Sequence, residues 1–220
     1  MKIQANSICE IINSITSKET IKTIIFVGGY CYNEVILTLI KSGLNKIETY
    51  LQPSNPSLAI MEGAVLFGIE PSTINIRKSK YTIGEAMDDE WDEKKHSGKG
   101  EKYYNEVSKR WFCSNCFIKF IEINQSLKYE EEVSHIHYIA HKNQTCAKMK
   151  FFKTKKENPI FIFEEGVSKI GECLLDVGQA YEKYEDRKLK TIMKFGGTFI
   201  DVIGIHLKSG KTVKTTLTFD

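Results

Sequence analysis

The residue types with the most chemical potential fall in three places. Phe26-Val27-Gly28-Gly29-Tyr30 ends an apolar run in two glycines. Paired glycines between a strand and a helix let backbone approach a ligand closely, and they serve equally as a tight strand-to-helix turn. Cys113 and Cys116 have the Cys-x-x-Cys spacing that suits zinc, which takes four ligands. Downstream lie His135, His137, His141 and Cys146, which supply no clean second pair. Strand alternation puts His135 and His137 on one face. Packing cysteines and surface histidines are the expectation, with no metal. Lys148, Lys150, Lys153, Lys155 and Lys156 surround Phe151 and Phe152, an interleaving that single-stranded nucleic acid can use. The near-neutral total charge favours a solvated strand face instead. No Ser-His-Asp or Cys-His arrangement is identifiable from sequence order, so no catalytic residue is assigned.

The 220 residues allow one large domain or two small ones, and 41% of them are apolar, enough for a sizeable core. A net charge of +3 gives no reason to expect nucleic acid or a membrane surface as partner. The six cysteines are spread over a chain too long for a disulfide-stapled miniature. With no signal-like N-terminus, the expectation is a cytoplasmic protein with reduced thiols. No apolar run is long enough to span a bilayer.

These residues need elements to position them. Ile8, Ile11, Ile12 and Ile15 fall at helical spacing, predicting a helix that ends near Ser17. Thr23 to Val27 reads as a short buried strand. Asn33 is placed to cap a helix carrying Val35, Ile36, Leu39 and Ile40, with Gly43 near its end. Ile47 to Leu51 reads as a second strand, and Pro56 opens a third helix that stops at Gly68. Helix, strand, helix, strand, helix predicts an α/β unit with neighbouring strands. From about Ile74 strand signals dominate: Tyr81 to Ile83, Val133 to Ile139, Lys148 to Phe152, Ile160 to Phe163, Gly171 to Val177, Thr191 to Phe195, Phe199 to Leu207 and Thr212 to Phe219. Ser209-Gly210 reads as a hairpin turn between the last two. The carboxylate-rich stretch from Glu85 reads as a solvated loop. Many short strands predict an antiparallel sandwich.

The Val-Gly-Gly strand end, a helix, a second strand and then Asn55-Pro56-Ser57-Leu58-Ala59 with Gly63-Ala64 together resemble the last nucleotide-binding segment of the heat-shock-70 ATPases. Glu62-Gly63-Ala64-Val65-Leu66-Phe67-Gly68, followed by Ser79-Lys80-Tyr81-Thr82-Ile83-Gly84, is similar to the divergent member-12 branch. Arg110-Trp111-Phe112-Cys113, Lys119-Phe120, Asn124-Gln125-Ser126, Gly171 with Leu174 and Asp176, and Met193-Lys194-Phe195-Gly196 extend the match to essentially the whole chain.

The resemblance implies a C-terminal portion of such a protein. Residues 1–77 would be part of an actin-like ATPase lobe. Residues 78–220 would be an antiparallel β-sandwich-like domain resembling the chaperone substrate-binding module, with a charged loop at 85–103. It implies adenosine contacts at Gly28, Gly29 and Tyr30, hence weak or partial binding of ATP or ADP. The family pattern has a small hydroxyl residue and an arginine where this chain has Tyr30 and Tyr32, and an acidic residue where it has Ser57. Losing the arginine removes a cation–π partner worth about 0.5–2 kcal/mol. The family's Asp-x-Gly-Thr phosphate hairpins have no counterpart here. Phosphoryl transfer rests on positioning and charge stabilisation of the phosphates, so hydrolysis by this chain alone is not expected. The implied partners are polypeptide segments or a complementary ATPase half, with self-association through an exposed sheet edge. A stand-alone peptide- or protein-binding β module without a nucleotide role is the second reading.

Overall fold

Asn33 shows how the first elements are set. Its side chain accepts from the Ile36 N–H and caps α2 (Glu34–Ser42), satisfying a donor that the first helical turn leaves unpaired. Gly43 closes that helix, with its N–H bonded to the carbonyls of Leu39 and Ile40. A methyl group there would collide with Cys9 Sγ, so the missing side chain lets α1 (Lys2–Thr16) lie close against α2. Ala5 and Cys9 of α1 pack with Ile36, Leu37 and Ile40 of α2, and with Phe26, Cys31 and Leu44. The strands β1 (Thr23–Ile25) and β2 (Thr49–Leu51) pair in parallel. A third helix, α3 (Ala59–Ile69), contains no buried residue.

A computed structural model describes residues 2–141 and 143–218 of the chain. It divides them into two compact units, Met1–Thr73 and Ile74–Asp220. The chain is thus mixed α/β, with several sheets, mostly antiparallel, and few helices. Among the described residues no helix is long and apolar enough to cross a membrane.

The second unit contains β3 (Ile76–Lys78), β4 (Thr82–Glu90), α4 (Glu93–His96), β5 (Lys102–Asn105), β6 (Arg110–Ile121) and β7 (Ser126–Lys128). Then follow β8 (Glu131–Tyr138), β9 (Cys146–Thr154), β10 (Ser168–Asp176), β11 (Lys188–Phe195), β12 (Ile200–His206) and β13 (Thr212–Leu217). One sheet has the order β10-β9-β4-β6-β5 and another β13-β12-β11-β8, while β3 and β7 form a separate pair. All these pairings are antiparallel. Alternation turns Ile83 and Met87 of β4 and Met149 and Phe151 of β9 into one core with Leu189 and Met193 of β11 and Val202 of β12. Burying one such side chain stabilises the fold by about 1.5–3 kcal/mol. Gly210 holds φ at 71° between β12 and β13, the conformation a glycine turn supplies without steric cost.

Three expectations need correction. The strand β1 is not buried: Thr23 and Ile25 are exposed and Ile24 is half-buried. The stretch 85–103 is not a charged loop. Its first residues continue β4 as far as Glu90, which pairs with Phe112, and Glu93–His96 forms α4. Cross-strand and local partners make this tolerable. The Tyr103 hydroxyl donates to Asp88 at 2.6 Å, Lys95 to Asp89 at 2.6 Å and Arg110 to Glu90 at 3.2 Å. Ile160 to Phe163 is not a strand either. The backbone N–H groups of Ile160 and Phe161 donate to the Glu164 carboxylate at 2.7 and 2.9 Å. Only an isolated bridge joins Phe161 to Cys116. Phe219, the end of the last expected strand, lies outside the described residues.

Candidate functional site

The glycine loop is built by two motifs that are distant in sequence. Gly28 has φ 94° and ψ 166°, a backbone state strained for any residue with a Cβ. Its N–H donates to the Pro56 carbonyl at 2.7 Å. The Tyr32 hydroxyl donates to Asn55 Oδ1 at 2.7 Å, so the Val-Gly-Gly and Asn-Pro segments are tied at two points. Gly29–Tyr32 then forms one turn of 3-10 helix running into the Asn33 cap. Gln52 Nε2 holds the Cys31 carbonyl at 2.8 Å from below. Nothing lies within 4 Å of where a Cβ would stand on Gly28 or Gly29, so the backbone faces open space.

Beside it lies a shallow depression lined by Gly29, Tyr30, Tyr32, Asn33, Glu34 and Val35. Tyr30 is 78% exposed, with its ring free to meet a planar group. None of the six is cationic, and Glu34 already sits in the first turn of α2. A carboxylate there occupies the end of the helix that attracts anions. The depression therefore suits an uncharged aromatic ring and not a phosphate.

Cys113 and Cys116 meet at a bulge. Residues three apart on an even strand point to opposite faces. Here Cys116 pairs with Met87 and Cys113 with Asp89, so Ser114 and Asn115 together oppose Asp88. Asn115 takes φ 58°, and the extra residue turns both sulfurs to one side. Asp92 caps α4 and brings His96 over them, with His96 Nε2 3.8 Å from Cys116 Sγ. All three side chains are fully buried, beside Trp91, Ile160 and Phe161. A side chain on Gly100 would collide with Cys113 Sγ. Burial pushes the Cys116 thiol up to about 12 and raises that of Cys113. Neither is an activated nucleophile.

His135 and His137 share a face of β8 and line a cavity of about 480 Å³ that also contains Glu85, Met149 and Leu189. Glu85 is almost wholly buried, and desolvation raises its pKa from 4.5 to about 8, partly offset by the Thr191 hydroxyl. Desolvation pushes His137 down to about 4, with His135 adding to it. At neutral pH the facing pair is a carboxylic acid and an uncharged imidazole, 3.9 Å apart. Glu85 Oε2 and His137 Nδ1 have no hydrogen-bond partner among the described residues.

The matches to known proteins agree with the motifs quoted above. The chain is 30% identical over 204 residues to Heat shock 70 kDa protein 12A of Homo sapiens, covering 91% of this chain and 30% of that protein. The Mus musculus protein of the same name gives the same figures. Heat shock 70 kDa protein 12B of Homo sapiens is 27% identical over 207 residues, 90% of this chain and 30% of its own length. Over about nine-tenths of its length this chain is similar to divergent, member-12 heat-shock-70 proteins. No family model matches it. The chain spans about 30% of the length of these curated relatives.

For a heat-shock-70-like chain the structure keeps Gly28, Gly29 and Tyr30 together on one loop. It separates the CxxC pair from His135 and His137, which line the cavity with Glu85 instead. Sequence reasoning missed His96, Asp89 and Glu85. All three lie in the stretch whose composition reads as a solvated loop. The available signal was the Asp92-x-x-x-His96 spacing, a helix cap followed one turn later by a ring able to reach back to it. The Asp92 N–H does donate to His96 Nδ1 at 3.0 Å.

Proposed function

We infer that this heat-shock-70-like chain supplies the adenosine-facing part of a nucleotide site through its first unit, part of an actin-like lobe. Its second unit, resembling the chaperone substrate-binding module, holds polypeptide segments. The observation that carries the first role is the loop from Gly28 to Tyr32, tied to Asn55-Pro56 by two hydrogen bonds and presenting the exposed Tyr30 ring. Open backbone beside the glycines and the absence of any cation among the lining residues support contact with the base and ribose and none with the phosphates. With no Asp-x-Gly-Thr pattern in the sequence, the phosphate and magnesium groups come from a complementary segment, and the chain alone does not turn over ATP.

Isothermal titration of the purified chain with adenosine, ADP and ATP tests this. The three should bind with affinities within about tenfold of one another, and Tyr30→Ala should weaken all three by a similar factor, the loss of a stacked ring being worth on the order of 1 kcal/mol. ATP binding far tighter than adenosine, or ATP turnover above background, would overturn the reading.

The edge strands β5 and β10 of one sheet and β8 and β13 of the other favour the second reading, a polypeptide-binding module independent of nucleotide. A sheet edge offers unpaired backbone groups to an added strand. Hydrogen exchange separates the two: nucleotide should protect residues 27–32, and a bound peptide one of these edge strands.

A further inference from the structure

His96, Cys113 and Cys116 are buried side chains whose potential ligand atoms all lie within 4.8 Å of one another. We propose that they bind one zinc ion, with Asp89 as the fourth ligand, in a closed structural site that fastens the 91–101 segment onto β6.

The donor set comes first. Two thiolates, an imidazole and a carboxylate are groups that zinc takes, and closed four-coordinate sites are its structural form. Zn–S bonds of about 2.3 Å and Zn–N and Zn–O bonds of about 2.0–2.2 Å set the edges of the tetrahedron at about 3.6 Å for S···N and about 3.4 Å for N···O. His96 Nε2 lies 3.8 Å from Cys116 Sγ and 3.7 Å from Asp89 Oδ2. These two edges need to contract by only a few tenths of an ångström, and the Asp89 carboxylate must in addition move in toward the two sulfurs.

The backbone devices around the group serve the same end. The bulge at Ser114–Asn115 is what puts Cys113, Cys116 and the cross-strand partner Asp89 on one side of the strands. Gly100 leaves room beside Cys113 Sγ. Trp91, Ile160 and Phe161 close the cysteine and histidine side of the site from water, which strengthens the bonds a cation makes there, while Asp89 stands at its edge. Zinc with two thiolates and one carboxylate carries a net charge of −1. The Lys95 ammonium, 2.6 Å from Asp89 Oδ2, balances it.

Protons must balance too. Zinc displaces one proton from each thiol and none from Asp89. Asp92 N–H donates to His96 Nδ1, so the uncharged ring carries its proton on Nε2. Nε2 must release that proton to bind zinc, and Nδ1 must take one up. The Asp92 N–H then gives up its bond to the ring, and the first turn of α4 readjusts. Two protons leave in all, and His96 changes tautomer.

The full chain, purified under reducing conditions and dialysed against micromolar zinc, should retain about one equivalent of metal. Cobalt in its place should give the intense visible bands of a tetrahedral site and a sulfur-to-metal charge-transfer band. Nitrogen NMR of His96 should show the proton move from Nε2 to Nδ1 on zinc binding. Cys116→Ser should abolish the charge-transfer band, and Cys146→Ser should leave it intact. Should Cys116→Ser fail to fold, the wild-type cobalt spectrum and the His96 tautomer decide. Folded wild type that retains no zinc, cobalt bands without sulfur character, or a Cys116→Ser spectrum identical to wild type would each overturn the site.

Discussion

The two units use apolar sequence in opposite ways. In the second, the buried side chains of two sheets merge into one cluster from Ile83 to Leu217. In the first, a small cluster forms around α1 and α2, while α3, Ala-Ile-Met-Glu-Gly-Ala-Val-Leu-Phe-Gly-Ile, buries nothing. A helix that is apolar all round belongs in a core. Leu66 and Ile69 of α3 instead remain 61% and 76% exposed. The lesson is that hydrophobicity states a demand for cover without supplying it. The β-rich unit meets that demand from its own strands. The α/β unit leaves part of it open, which agrees with a role beside a complementary segment.

The comparison can be broken most sharply in the larger core. Phe151→Ala, at a fully buried position, should cost about 3–5 kcal/mol, measured by denaturant unfolding followed on β9 amides. A loss under about 1 kcal/mol would mean that this core is loosely packed.

The second test is pH. Glu85 has a raised folded-state pKa, about 8 against 4.5. The folded state thus holds a proton that the unfolded chain has lost, and stability falls as pH rises through that window. His137, lowered to about 4, works in the opposite direction, but only below its ordinary value of 6.5. Between pH 6.5 and 8 the Glu85 slope stands alone. Stability there should fall by an amount on the order of 2 kcal/mol. Glu85→Gln should flatten the slope, and an unchanged slope would remove Glu85 from the account.

In the first unit the effects are local and smaller. Gly28→Ala forces a side chain into φ 94° and should cost about 1–3 kcal/mol. Asn33→Ala removes the α2 cap and should cost about 1 kcal/mol by thermal unfolding. Leu66→Ser on α3 should change stability by less than about 0.5 kcal/mol, because nothing covers Leu66. A loss above about 2 kcal/mol would show that α3 is buried in solution and that the contrast between the units is smaller than it looks.

Much of the first unit was legible because its signals are local. Asn33, Gly43 and Pro56 each act within a turn or two, and β1 and β2 fall inside the apolar runs Thr23 to Val27 and Ile47 to Leu51. Alternation likewise located β9, β11, β12 and β13. The family resemblance was carried by motifs spread along the chain. The metal-type cluster was not legible, because partners of the acidic stretch come from further along the chain: the Tyr103 hydroxyl for Asp88 and the Arg110 cation for Glu90. Composition reads Glu85 to Gly100 as water-loving when Asp88, Asp89 and Glu90 each have a partner already. The bulge that aims both sulfurs one way leaves no mark in the spacing, since Cys-x-x-Cys looks the same with or without it.

That bulge imposes a parity rule on β6. Shortening the interval between the two cysteines by one residue restores even alternation and leaves the sulfurs two apart, still on one side. The removed residue is the surplus one, and the side chains from Phe117 to Ile121 keep their partners on β4. Lengthening the interval by one sends Cys116 to the far side while its partner stays. The strand therefore tolerates losing one residue between the cysteines better than gaining one, because only the loss keeps both face and ladder. A survey of insertions and deletions along β6 should find the Cys113–Cys116 interval more forgiving of a single deletion than of a single insertion.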